Sequence, residues 1–169
     1  LELSSAASDV YKRQAHEGVR FDHCYVTNSI CTPSRAAILT GTYNHVNCVK
    51  TLDTHMDNDL PHVAKHLQTG GYQTAIVGKW HLGEGKLHEP KGFNFWSVLP
   101  GQGEYFDPFM IEMGKEREEF GYVTDIITSK CINWLNSRDK SKPFFLMCHH
   151  KAPCLLYTSD AADESSSGG

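Results

Sequence analysis

The apolar positions of this chain fall into two periods, and the switches between them outline the elements. Residues 19–26, VRFDHCYV, alternate apolar and polar side chains of β-prone type, which predicts a short strand. The next segment opens at Thr32, a good N-cap, followed by Pro33 at the first helical position, where no amide donor is needed. Ala36, Ala37, Ile38 and Leu39 continue that helix, and Gly41 stops it. Asp59 is the expected cap of a second helix, which turns Val63, Ala64 and Leu67 inward and ends at Gly70-Gly71. Residues 72–78, YQTAIVG, then read as a strand with a buried centre. Val123, Ile127, Cys131, Trp134 and Leu135 recur at helical spacing and predict a third helix over 124–137. Pro143 introduces FFLMC, residues 144–148, an apolar run of strand length. Helices alternating with buried strands predict an α/β fold with a mostly parallel sheet flanked by helices. No internal repeat is present. Residues 84–121 are rich in Gly and Pro without clear periodicity and read as a long excursion of the kind that often binds ligands.

The two ends stand apart from this pattern. Residues 4–14, SSAASDVYKRQ, and 154–164, CLLYTSDAADE, are what one DNA element gives when translated in opposite orientations. They resemble a sequencing adapter, so residues 1–14 and 154–169 are expected to be non-native tails and are kept out of the fold reasoning. Residues 15–153 remain, about 140 residues, read as part of a domain truncated at both ends. Taking Lys12, Arg13, Glu2, Asp9, Asp160, Asp163 and Glu164 out of 16 basic and 20 acidic residues leaves 14 and 15, a net charge of about −1. That balance gives no reason to expect a nucleic-acid or membrane partner, and no apolar run is long enough to span a bilayer. Cys24, Cys31, Cys48, Cys131 and Cys148 contain no CxxC pair, which argues against a zinc ribbon or a thioredoxin-type site.

Chemistry concentrates in CTPSRAAILTG, residues 31–41. A cysteine just before a helix meets unpaired first-turn amides and the positive end of the helix dipole. Arg35, about one turn on, can return to the same end, and the arrangement suits a thiolate or a bound oxyanion. Cysteine phosphatases also place a cysteine at a helix start, but the spacing to the arginine is too short here. A second cluster, GKWHLG at residues 78–83, follows directly from the strand 72–78. Positions two apart share a face in an extended segment, so Lys79 and His81 are expected to point the same way past the carboxyl end of a buried strand.

CTPSRAAILTG resembles the signature of the sulfatase family, and GKWHLG resembles that family's second motif. The resemblance extends over residues 15–153, including KPFFL at 142–146 and HKAP at 150–153. It implies an alkaline-phosphatase-like α/β fold and hydrolysis of sulfate esters. It also implies that a formylglycine-generating enzyme oxidises Cys31 to formylglycine, an aldehyde whose hydrate is the nucleophile. Arg35 and Lys79 would then offset developing charge together with Ca2+, and His81 would hydrogen-bond the formylglycine or the sulfate. The resemblance further suggests Lys79, Gln102 and His150 as substrate contacts. Of the calcium ligands, it leaves only residue 31, as formylglycine, within this chain, the paired aspartates and an Asp–Asn pair being missing. Residues 98–108, VLPGQGEYFDP, with HHKAP at 149–153, look most like carbohydrate sulfatases of the N-acetylglucosamine-6-sulfatase and mucin-desulfating type. A sulfated carbohydrate is therefore the implied substrate, and family habit favours a periplasmic, secreted or lysosomal setting. Two other readings stay open: a formylglycine-dependent phosphonate or phosphate ester hydrolase, and a truncated, inactive fragment.

Other candidates have plainer explanations. His62 and His66 have i, i+4 spacing but lack the glutamate of a metalloprotease motif, and both are expected to be solvated. His149 and His150 point opposite ways if extended, so one of the two can approach the site. Asn44, His45 and Asn47 could line the cavity or simply serve turns, and Trp96 and Trp134 read as core.

Overall fold

The computed structural model describes residues 12–152. The chain divides into two compact units, one formed from residues 1–25 and 153–169 and the other running from Val26 to Ala152. In the first, residues 12–17 are helical and the Gly18 amide closes the last turn on Gln14 O at 2.9 Å. The strand expected over 19–26 does not form. Val19, Phe21, Tyr25 and Val26 are exposed, and the segment pairs with no strand among the described residues. β-prone alternation without a ladder partner is not enough to hold a strand in water.

The second unit is built on a central strand, β1 (Gln73–Lys79), buried from Thr74 onward. β2 (Phe95–Leu99) pairs parallel on one side and β5 (Phe144–His149) parallel on the other. β3 (Phe109–Glu112) and β4 (Lys115–Glu118) extend the β2 side antiparallel, giving the order β4-β3-β2-β1-β5. The sheet is thus α/β with a parallel centre and an antiparallel margin. Adjacent side chains on a strand face opposite ways, so Ile76 and Val77 enter different cores. On the Ile76 face lie Ala36 and Leu39 of α1 (Cys31–Thr40) and Ala64 of α3 (Val63–Thr69), with Met56, Trp80 and Trp96. Between them comes a one-turn helix, α2 (Asn44–Asn47). On the Val77 face lie Val123, Ile127 and Cys131 of α4 (Val123–Ser137), at the four-residue spacing that makes one helical stripe. Burying each of these large apolar side chains stabilises the fold by roughly 1.5–3 kcal/mol.

Several boundaries differ from the sequence expectation for identifiable reasons. α1 begins at Cys31 with Ile30 at the cap position, so Thr32 is inside the helix and does not cap it. Pro33 still falls within the first turn, where its missing donor costs nothing. Gly41 ends the helix as expected, at φ 65°, its amide donating to Ala37 O. Asp59 does not cap α3, whose cap position is His62; Asp59 pairs instead with Lys91 at 2.7 Å. Residues 84–121 are not one loop, for they supply β2, β3 and β4. Their strands are only four or five residues long, and the β3–β4 turn is Met113-Gly114 with both φ positive. That is the primed two-residue turn of a hairpin, built here without the Asn-Gly pair that announces it. No helix among the described residues is long and apolar enough to cross a membrane.

Candidate active site

Where β1 ends, the chain turns sharply and brings two motifs together. Gly78 has φ 106° and sits opposite His149 in the β1–β5 register. A methyl group at Gly78 would drive into the His149 carbonyl oxygen, so only glycine lets the two strands approach this closely. Lys79, the last strand residue, is buried and runs its side chain toward the start of α1. Its Nζ lies 3.7 Å from Cys31 Sγ and donates to Gln102 Oε1 at 2.6 Å. His81 reaches the same place by a different route from the alternation expected. The strand has already ended, and His81 adopts φ 54° while Trp80 and Leu82 on either side are locked in the core. Trp80 is held further by its indole N–H, which donates to His88 O at 2.8 Å. The His81 ring lies between Thr32 Oγ1, 3.3 Å from Nδ1, and Gln102 Nε2, 3.3 Å from Nε2.

Arg35, one turn into α1, donates from one guanidinium nitrogen to Lys79 O at 2.6 Å and meets His149 Nδ1 at 2.9 Å. The same imidazole nitrogen lies 3.2 Å from Lys79 O. A guanidinium can only donate, so Nδ1 of His149 is its acceptor. Arg35 thereby ties α1 to the carboxyl ends of β1 and β5.

The electrostatics are consistently cationic. Burial lowers the Lys79 pKa, and Arg35 lowers it further, against a raising effect from Cys31. His81 is pushed down by burial and then by Lys79 and Arg35; His149 is pushed down by burial and then by Arg35. Burial also lowers the Arg35 pKa. Neutral imidazoles beside two cationic side chains are what these shifts describe, and such a site favours an anionic group.

Two clefts flank the cluster. One, of about 540 Å³, is lined by Cys31, Ser34, Arg35, Cys148, His149 and His150. The other, of about 440 Å³, is lined by Asp53, His55, His81, Glu84 and Gln102 among others. The fold therefore gathers Cys31, Arg35, Lys79, His81 and Gln102. His150 lines the cleft with Cys31 and Arg35, but its Nε2 lies 3.5 Å from Cys148 Sγ, while His149 is the one that touches Arg35. Of the His149–His150 pair, left open by the sequence, His149 is the one in contact, and Thr32, expected only as a helix cap, is the site residue that motif reasoning missed. No sequence pattern showed that the Thr32 hydroxyl would face His81.

The remaining candidates separate from the site. Asn44 donates to Pro33 O at 2.8 Å, and Asn47 donates to Thr40 Oγ1 and Thr42 O, each at 3.2 Å, so both brace the end of α1. His45 stacks on Tyr43. Trp96 is core, and Trp134 packs edge-on against Phe144. His66 is exposed as expected, but His62 is buried, its ring stacked against that of Phe93.

Calcium needs six to eight oxygen ligands. No group of three or more His, Cys, Asp or Glu among the described residues could hold a metal ion, and Gln102 Oε1 already accepts from Lys79. These residues do not by themselves fit a calcium ion. They do fit a modified residue 31, since Cys31 is exposed at a helix start and faces Lys79.

A sulfatase family model matches residues 5–166. The N-acetylglucosamine-6-O-sulfatase of Bacteroides thetaiotaomicron is 51% identical over 144 residues, which cover 83% of this chain and 25% of that protein. The N-acetylglucosamine-6-sulfatase of Capra hircus is 31% identical over 166 residues, covering 84% of this chain and 29% of that one. A solved structure of a protein in complex with its substrate D-glucosamine-2-N,6-O-disulfate superposes with a TM-score of 0.80 at 49% identity, covering 86% of this chain and 29% of that one. The chain thus spans 25% and 29% of the length of these two curated relatives.

Proposed function

The chain belongs to the sulfatase family, and on that premise we propose that the whole protein hydrolyses a sulfate ester on a carbohydrate, at a centre built on residue 31. The observation that carries this reading is the approach of Lys79 Nζ to within 3.7 Å of Cys31 Sγ, in a pocket that Arg35 also makes positive. The substrate class we infer is a glucosamine-type sugar with a sulfate at its 6-hydroxyl. The relatives' names and the glucosamine disulfate held by the structural neighbour support that choice.

A formylglycine made from Cys31 supplies, when present, an aldehyde hydrate as the nucleophile. Everything else in the pocket is supplied by side chains already in place. Lys79 puts an ammonium where the oxygens of a sulfuryl group would gather charge, and its burial strengthens that interaction. Arg35 holds Lys79 by its carbonyl, so a lysine whose side chain moves with the strand end stays aimed at residue 31. His81 and Gln102 stand on the other side of Lys79, facing the cleft that also contains Asp53 and Glu84. No step is assigned to calcium, because the described residues form no cage for it.

The test uses the full-length protein, expressed in a cell that has a formylglycine-generating enzyme. The peptide containing Cys31 should be lighter by about 18 Da, the difference between a thiol and an aldehyde side chain. Glucosamine 6-sulfate should be desulfated, and Cys31→Ala should abolish turnover. An unmodified thiol at residue 31 would overturn the reading, and faster turnover of a phosphonate monoester than of the sulfate ester would replace it with a phosphonate hydrolase.

A further inference from the structure

Thr32 is 1% exposed and is part of no helix cap, since the cap position of α1 is Ile30. Its hydroxyl oxygen lies 3.3 Å from Leu52 O and 3.3 Å from His81 Nδ1. A carbonyl only accepts, so the hydroxyl proton goes to Leu52 and a lone pair faces the imidazole. The His81 Nδ1 must then carry a proton. The opposite edge of the ring gives the same answer independently. Lys79 only donates, so Gln102 must present its carbonyl oxygen to Lys79 at 2.6 Å, which turns the amide NH2 toward His81 Nε2 at 3.3 Å. An NH2 group only donates, so Nε2 must offer a lone pair. Two arguments from opposite sides of the ring select one tautomer.

We propose that Thr32 is a positioning residue: anchored on Leu52 O, it fixes His81 as the Nδ1–H tautomer and so keeps Nε2 a hydrogen-bond acceptor on the side of Lys79 and Gln102. The proposal rests on the sulfatase reading for its consequence, but the tautomer itself follows from the local geometry. Thr32 lies within the Cys-Thr-Pro-Ser-Arg run, yet its role here is not to present the cysteine. It acts through an imidazole 49 positions later in the chain.

The experiment uses the full-length enzyme labelled with 15N-histidine. Ring nitrogen shifts separate protonated from lone-pair nitrogens, and a His81→Gln variant assigns the His81 signals. In the wild type, Nδ1 should be protonated and Nε2 bare. Thr32→Ser should keep that pattern, and Thr32→Val should lose it. Turnover, normalised to the fraction of residue 31 converted, should fall on the order of 10-fold in kcat for Thr32→Val, with KM little changed, and should return in Thr32→Ser. A merely structural threonine would alter thermal stability and leave the tautomer alone. The proposal is overturned by a wild type protonated at Nε2. It is equally overturned by Thr32→Val with an unchanged tautomer, or by Thr32→Ser as impaired as Thr32→Val. Should the wild type turn over no sulfate ester, the sulfatase reading fails while the nitrogen shifts still decide the role of Thr32.

Discussion

His62 offers a quantitative test of the packing around α3. Its side chain is 2% exposed, its ring lies 6.3 Å from that of Phe93, and neither ring nitrogen has a hydrogen-bond partner among the described residues. Burial, followed by the charges of Lys65 and His66, pushes its pKa from 6.5 down to about 4. Each pKa unit corresponds to about 1.4 kcal/mol, so the difference between folded and unfolded states comes to about 3 kcal/mol. In the unfolded chain His62 takes up a proton as the pH falls through 6.5, whereas the folded chain refuses it until about 4. The unfolded state therefore binds more protons across that window, and stability must drop as the pH falls from 6.5 to 4, with little change outside it. The perturbation is His62→Leu, which fills similar space and cannot titrate. Urea unfolding, followed by the fluorescence of Trp80 and Trp96, should be measured for both proteins from about pH 7.5 to pH 4. His81 and His149 also have lowered pKa values, but they are present in both proteins and cancel in the difference. The wild type should lose about 3 kcal/mol more than the variant over the window. Parallel loss in the two proteins would refute the argument that a neutral, unsatisfied imidazole is buried at the start of α3.

Other expectations follow from the same geometry. Gly78→Ala combines an unfavourable φ with a collision against the His149 backbone; it should cost about 3 kcal/mol or more, read as a fall in Tm, and a cost below about 1 kcal/mol would contradict the β1–β5 approach. Lys79→Met keeps most of the stem and removes the charge, so kcat on a sulfate ester should fall roughly 100- to 1,000-fold, and a loss smaller than about 10-fold would remove Lys79 from charge stabilisation. The 169-residue chain alone should turn over no sulfate ester and should show no tight calcium binding by calorimetry, because its described residues cluster no ligand set; a strong exothermic titration would overturn that. In the coding DNA, the codons for residues 4–14 and 154–164 should be reverse complements, and unrelated codons would dismiss the adapter explanation.

The long periodic elements were legible because one physical cause dominates each of them. β1 and β5 are apolar runs in a parallel centre, and the α4 stripe of Val123, Ile127 and Cys131 faces a single core. The strands inside 84–121 were not legible, because short strands with Met113 in the turn carry neither length nor turn chemistry to announce them. Asp59 looked like a cap in isolation, but tertiary structure gave it Lys91 as a partner, four residues before α3 begins. At the site, Cys31, Arg35, Lys79 and His81 could be read from two short motifs. What joins those motifs could not: the left-handed turn at His81, the hydroxyl of Thr32 behind it, and the choice of His149 over His150 all arise from contacts between segments distant in the chain.

The Arg35–His149 contact spans 114 positions, and the Lys79–Cys31 contact 48. Such contacts form only after the intervening chain has been ordered, which makes their closure entropically expensive and kinetically late. His149 cannot meet Arg35 until β5 has docked beside β1, so during synthesis Cys31 waits in an accessible stretch while more than a hundred further residues are added. Any enzyme that must grip the backbone around Cys31 has that interval in which to act, before the clamp between helix and sheet shuts.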